Sequence, residues 1–151
     1  MKSIIEQFDS TVINSCRTMN FRMSRIAIFV VYFWFGILKV LGFSPANPLV
    51  DELLQRTMPF MTFDVFIVLF GIFEMLIGIL FMFPRLDRLS IPLFVFHMIT
   101  TGMVLFLLPA AAWAAPLVPT LEGQYVIKNI ALIALVINIA SHIAPLKSRG
   151  K

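Results

Sequence analysis

Four stretches of this chain stay apolar for longer than a soluble fold can hide. Ile26–Leu38 and Ile91–Pro109 carry no charged side chain, Val65–Phe83 carries only Glu74, and Tyr125–Ile143 carries only Lys128. A membrane-crossing helix needs about 17–25 mostly apolar residues. Each stretch supplies them once the first runs past Lys39 to Phe43. Surface helices of a soluble domain keep a polar face, and none of the four has one left over. With 60% apolar and only 13% charged residues, too little polar surface remains to cover a soluble domain of this size. The sequence therefore predicts an all-α integral membrane four-helix bundle, a single domain over residues 1–151, with spans at about 25–43, 63–83, 91–109 and 124–143. The bilayer is its first partner.

Punctuation supports the spans. Thr62, Ser90 and Thr120 are placed to cap the second, third and fourth helices; Pro84 ends the second and Pro109 the third. Lys and Arg then set a direction. Nine of them, including Lys2, Arg17, Arg22, Arg25, Arg85 and Arg88, fall on one side of the spans, and only Arg56 falls on the other. Such a bias predicts both termini in the cytoplasm. It also explains the net charge of +4 as topology, so no nucleic acid is expected as a partner. Residues 1–24 contain Glu6, Asp9 and Asn14, which a cleavable signal would not tolerate. Ile4, Ile5, Phe8, Val12 and Ile13 share a helical face there, which predicts a cytoplasmic amphipathic segment lying on the inner leaflet. Leu49–Met58 reads as a second amphipathic stretch on the far side, with Trp113 as an interface anchor in the last outer loop. Cys16 is the only cysteine, which excludes an internal disulfide or CxxC chemistry.

Ionisable residues inside a span are costly and usually face the bundle interior. Glu74 lies near mid-membrane, and Gly71 and Gly78 share its face, so a neighbouring helix can approach there. His97 lies within about one turn of that depth, with Thr101 beside it. Lys39 and Lys128 lie roughly 6 Å inside the outer ends of their spans. Each lysine alone could snorkel to the interface. Together they predict an outward-facing pocket of Lys39, Glu74, His97 and Lys128, edged by Tyr32, Gly36, Thr101, Tyr125 and Asn129. A polar or anionic head with an apolar tail, such as a quinone, suits it. Asn138 reads as a helix–helix hydrogen bond. His97 and His142 differ in depth by about 10 Å or more, a poor geometry for bis-histidine haem, and no metal site is expected.

Phe35-Gly36-x-x-Lys39 in the first span and Glu74-x-x-x-Gly78 in the second resemble the DoxX-like family of small four-helix membrane proteins. Gly123-Gln124-Tyr125-x-x-Lys128-Asn129 resembles the related branch that contains a reactive-chlorine-resistance inner-membrane protein. The resemblance runs from about Arg25 to Ser141. It implies a multi-pass protein of the bacterial inner membrane, linked to redox metabolism or oxidative stress. It implies Lys39, Glu74 and Lys128 as pocket residues, and a quinone with a membrane oxidoreductase partner, since some relatives are subunits of a quinone-reducing enzyme; a homo-oligomer is the other partner expectation. One glycine follows Glu74 where the family often has a pair, and the missing cysteine pair removes any dithiol chemistry. A non-enzymatic accessory protein that anchors a partner complex is the competing expectation. Topology comes first: reporter fusions at Arg88 and Lys151 should read cytoplasmic and one at Pro116 external, and an external carboxyl terminus would overturn the charge argument.

Overall fold

The first apolar stretch folds as the far half of a much longer helix. The computed structural model describes residues 4–144; Lys2, Lys147, Arg149 and Lys151, counted in the charge bias, lie outside them. Helix α1, Ile4–Val40, runs for 37 residues without interruption. At 1.5 Å per residue it is about 55 Å long, against a hydrocarbon core of about 30 Å. Residues 4–24 are thus not a separate helix laid on the leaflet. They continue the axis of the span, with Ile5, Phe8 and Met19 exposed. The helix ends in a Schellman arrangement. Gly42 takes φ +79°, its amide bonds to Lys39 O and that of Phe43 to Leu38 O, which satisfies carbonyls that the helix end leaves open.

Helix α2, Asn47–Thr57, is the amphipathic stretch predicted on the far side, started by Pro48 in its first turn. Helix α3 is Phe63–Phe81 with Thr62 at its N-cap. A 3-10 turn, Pro84–Leu86, leads into α4, Asp87–Gly102. That start moves Ser90 from the predicted cap into the first turn, where its hydroxyl donates to Asp87 O. The third span is also broken where the sequence predicted continuity to Pro109. It stops at Gly102 and resumes as α5, Val104–Leu107, then α6, Pro109–Ala112. Thr100 and Thr101 hydroxyls both donate to His97 O just before the break, the kind of back-bonding that weakens and bends a helix. Strands β1, Trp113–Ala115, and β2, Val118–Pro119, form a small antiparallel hairpin. This is the one departure from an all-α fold among the described residues. Helix α7, Leu121–Ala140, follows, with Thr120 Oγ1 accepting from the Gly123 amide as predicted. Trp113 is half-buried rather than free at an interface. Its Nε1 donates to Leu105 O and Arg56 donates to Leu107 O, so both serve carbonyls left open at the end of α5.

Four helical segments are long and apolar enough to cross a membrane: Ile4–Val40, Phe63–Phe81, Pro84–Leu107 and Leu121–Ala140. Large apolar side chains such as Val30, Leu69, Phe96 and Ile130 point outward within the spans, as a hydrocarbon surrounding requires. Inside, Ile28, Ile77, Phe81, Phe94, Val136 and Ile139 form the core. Asn138 bonds Asn20 and Ser24 across the α1–α7 contact, as expected of it, and places both ends of the described chain at the same end of the bundle.

Helices α1 and α3 meet through glycine. A Cβ placed at Gly71 would lie 2.6 Å from Gly36 O, and one at Gly36 would lie 2.6 Å from Gly71 O. Gly78 is close as well, 3.1 Å from Tyr32 Cβ. Gly102 has nothing within 4 Å. Gly71→Ala should therefore lower stability by about 1–3 kcal/mol through overpacking. Gly102→Ala should be neutral or stabilising by up to about 1 kcal/mol through helix propensity. Thermal unfolding in detergent measures both, and equal responses would remove the close approach as the cause.

Candidate functional site

The interlocked glycines bring the charged residues of α1 and α3 together. The two helices are antiparallel, and side chains lean toward the N-terminus of their own helix. Lys39 therefore leans down the bundle while Glu74 leans up. Their side chains close a backbone offset that the sequence put at roughly 10 Å. Lys39 Nζ donates to Glu74 Oε2 at 2.7 Å. Glu74 Oε1 lies 3.0 Å from His97 Nε2, and His97 Nδ1 lies 3.0 Å from the Tyr32 hydroxyl. Thr101 Oγ1 sits 3.5 Å from the same Nδ1 while donating to His97 O. Lys39, Glu74 and His97 are each 6% exposed and Tyr32 is 3% exposed.

One proton arrangement gives every bond in the string a donor and an acceptor. Glu74 is the carboxylate, accepting from the Lys39 ammonium and from His97 Nε2–H. The lone pair of Nδ1 then receives the Tyr32 O–H. The string carries no net charge, and every bond in it points toward Glu74. Aromatic rings line it. Phe70 stacks on the His97 ring at 5.3 Å between centroids, and the Lys39 ammonium lies 5.6 Å from the centre of the Phe70 ring. Phe94 lies against Tyr32 at 5.7 Å.

The sequence placed Lys128 in this cluster, and the structure does not. Lys128 is exposed, its ammonium 5.6 Å from the Tyr125 ring. Tyr125 is itself 62% exposed, and Asn129 follows on the same helix. The reason is rotation. Gly123 packs so tightly on Ala112 that a Cβ would collide with its carbonyl oxygen. Five residues at 100° each put Lys128 about 140° around α7 from that contact. Depth along the membrane was legible; azimuth was not. Tyr32, Gly36, Lys39, Glu74, His97 and Thr101 come together, while Tyr125 and Lys128 form a separate exposed pair on α7 and Asn129, half-buried beside them, is not among the cluster's bonded partners.

A second buried ion pair escaped the sequence reading. The Arg25 guanidinium holds both carboxylate oxygens of Asp87. It also donates to Phe81 O at 2.7 Å and lies 4.3 Å from the centre of the Phe21 ring. The cation thus caps the C-terminal end of α3, and the carboxylate opens α4, each where the helix dipole favours it. The sequence groups Arg25 with the basic residues on one side of the spans, yet both residues are buried, at 5% and 4% exposure. The available signal was Asp87 itself, the only acid in the otherwise basic turn Pro84–Arg88.

Fold and site together define a helical-bundle protein with four helical segments long and apolar enough to cross a membrane and two buried charge clusters, one toward each end. No family model, characterised protein or solved structure matches the chain. The Lys39–Glu74 pair has a measurable signature. Breaking a buried pair from one side leaves the other charge uncompensated, at a cost of about 3–5 kcal/mol. Glu74→Leu should therefore be strongly destabilised, and Lys39→Met combined with Glu74→Leu should recover most of the loss. Unfolding of the three proteins in detergent tests this; a double variant no better than the single would show that charge pairing is not what the site depends on.

Proposed function

We propose that this protein is a DoxX-like, redox-linked protein of the bacterial inner membrane, with both termini cytoplasmic, whose Lys39 end receives a quinone-like or small anionic head. The carrying observation is the unbroken hydrogen-bonded string from Lys39 through Glu74 and His97 to Tyr32. The ammonium of Lys39 has three donors, and one of them goes to Glu74. The others lie beside the Phe70 ring. A carbonyl or anionic oxygen on a flat apolar ring fits that combination of donor and aromatic surface. Glu74 and His97 are then placed to hold and pass a proton through atoms already in hydrogen-bond contact. Lys128 has no part in this reading.

The accessory reading keeps one observation of its own. Helix α1 extends roughly 25 Å beyond a bilayer-length span and carries the exposed stripe Ile5, Phe8, Val12 and Met19. That stripe suits a membrane oxidoreductase partner or a second copy of the chain.

Mass spectrometry of small molecules retained after gentle detergent purification separates the two. A quinone or small anion should accompany the unaltered protein and Lys128→Gln, and should be lost, at least tenfold, from Lys39→Gln. Folded protein without any such molecule, or with the same amount in Lys39→Gln, would sink the ligand reading and leave the anchoring role.

A further inference from the structure

Helices α4 and α7 stand apart on their membrane-facing side. The groove between them has a volume of about 440 Å³ and is lined by residues including Ile91, Phe94, Val95, Ile133, Val136 and Ile137. Every lining side chain is apolar, so water would find none of the two to four polar partners it needs there. Hydrocarbon is the only solvent that fits. The volume is within the roughly 300–1,000 Å³ of clefts that hold small molecules.

The mouth of the groove is charged. Arg88 lies three residues before Ile91 on α4, hence on the same helical face. It is exposed, and it reaches across to α7's continuation, donating to Ala144 O at 2.8 Å. One N–H goes to that bond, and the rest of the guanidinium fork is available for bidentate binding of a phosphate. The neighbouring carboxylate does not oppose an anion, because Asp87 is turned inward onto Arg25. Arg85, in the turn just before α4, is also exposed and adds a second positive charge nearby.

We propose that the α4–α7 groove is a binding site for an anionic phospholipid, with one acyl chain along Ile91–Val136 and the phosphate on Arg88. An apolar channel that ends at a guanidinium matches an amphiphile with those two parts in that order. The site shares α4 with the Lys39 cluster, Phe94 lining the groove and packing on Tyr32, but its charged mouth at Arg88 lies nine residues from His97 along that helix, and none of the cluster's polar side chains lines it.

The test uses lipid-stripped full-length protein and native mass spectrometry, with phosphatidylglycerol and phosphatidylcholine of identical palmitoyl-oleoyl chains as probes. One phosphatidylglycerol per chain should be retained about fivefold more firmly than phosphatidylcholine, the preference expected of one basic residue at the membrane surface. Arg88→Gln should erase that preference while leaving weaker binding of both lipids. Ile137→Trp fills the groove at a position already 63% exposed, so the fold should survive, and it should weaken both lipids alike. Equal retention of the two lipids by the unaltered protein would overturn the proposal. So would an undiminished preference in Arg88→Gln, or undiminished binding in Ile137→Trp. Palmitate held as firmly as phosphatidylglycerol would reassign the groove to a free fatty acid and overturn it too.

Discussion

The backbone contact between Gly36 and Gly71 is the constraint on which the rest of the bundle depends. Lipid supplies no hydrophobic drive for helices to associate, so close packing and interhelical polar bonds must do so. Two glycines facing each other let α1 and α3 approach until each would touch the other's carbonyl oxygen. Lys39 follows Gly36 by three residues and Glu74 follows Gly71 by three. In an antiparallel pair those offsets put the two side chains on opposite sides of the crossing, leaning toward it. The ion pair is therefore a consequence of helix spacing. A wider crossing would leave two charges separated in a medium where neither can be solvated.

Polar groups inside the bundle are gathered into two levels, each bonded within itself, with the Arg25 Nε left without a partner. At the Lys39 level, Glu74 has two donors and His97 uses both ring nitrogens. At the other, Arg25 satisfies Asp87 and a carbonyl at the end of α3, and Asn138 joins Asn20 and Ser24. Helix ends obey the same rule. Arg56 and Trp113 cover the carbonyls of α5, and the turn at Gly42 covers those of α1. The break after Gly102 is tolerable because the outer continuation folds back under α2 and the hairpin, where Val104, Leu108 and Ala112 form a second apolar cluster.

What the sequence disclosed and what it withheld divide along one physical line. Quantities that depend on position along a helix were legible. The four spans, the cap at Thr120, the shared level of Glu74 and His97, the glycine face of α3 and the cross-helix role of Asn138 all follow from hydropathy, turn chemistry and a fixed rise per residue; Thr62 holds its N-cap position but its side chain makes no capping bond. Quantities that depend on rotation or on a distant partner were not. Lys128 shares the depth of Lys39, yet Gly123 on Ala112 turns it away. Arg25 was indistinguishable from an interfacial arginine until Asp87 was found beneath it. The continuity of α1 was hidden because Glu6, Asp9 and Asn14 look like a boundary in composition, although an exposed helix accommodates them freely. Phe70 had no sequence signal separating it from the other phenylalanines; only its stacking on His97 does so.

Between the two polar levels lies a layer with no polar side chain of its own. Tyr32 and Arg25 are seven residues apart on α1, about 10 Å along the axis, and Ile28, Phe81 and Phe94 fill the interval with exposures of 0–1%. In electrical terms this layer is the dielectric of a capacitor, with polarisable groups on either plate. Its roughly 10 Å is about a third of a hydrocarbon core of about 30 Å, so about a third of a transmembrane voltage would fall across it. Moving a unit charge through the whole field costs about 2.3 kcal/mol per 100 mV, hence roughly 0.8 kcal/mol for this layer alone. A charge leaving one polar level would find no polar side chain to rest on before it reached the other.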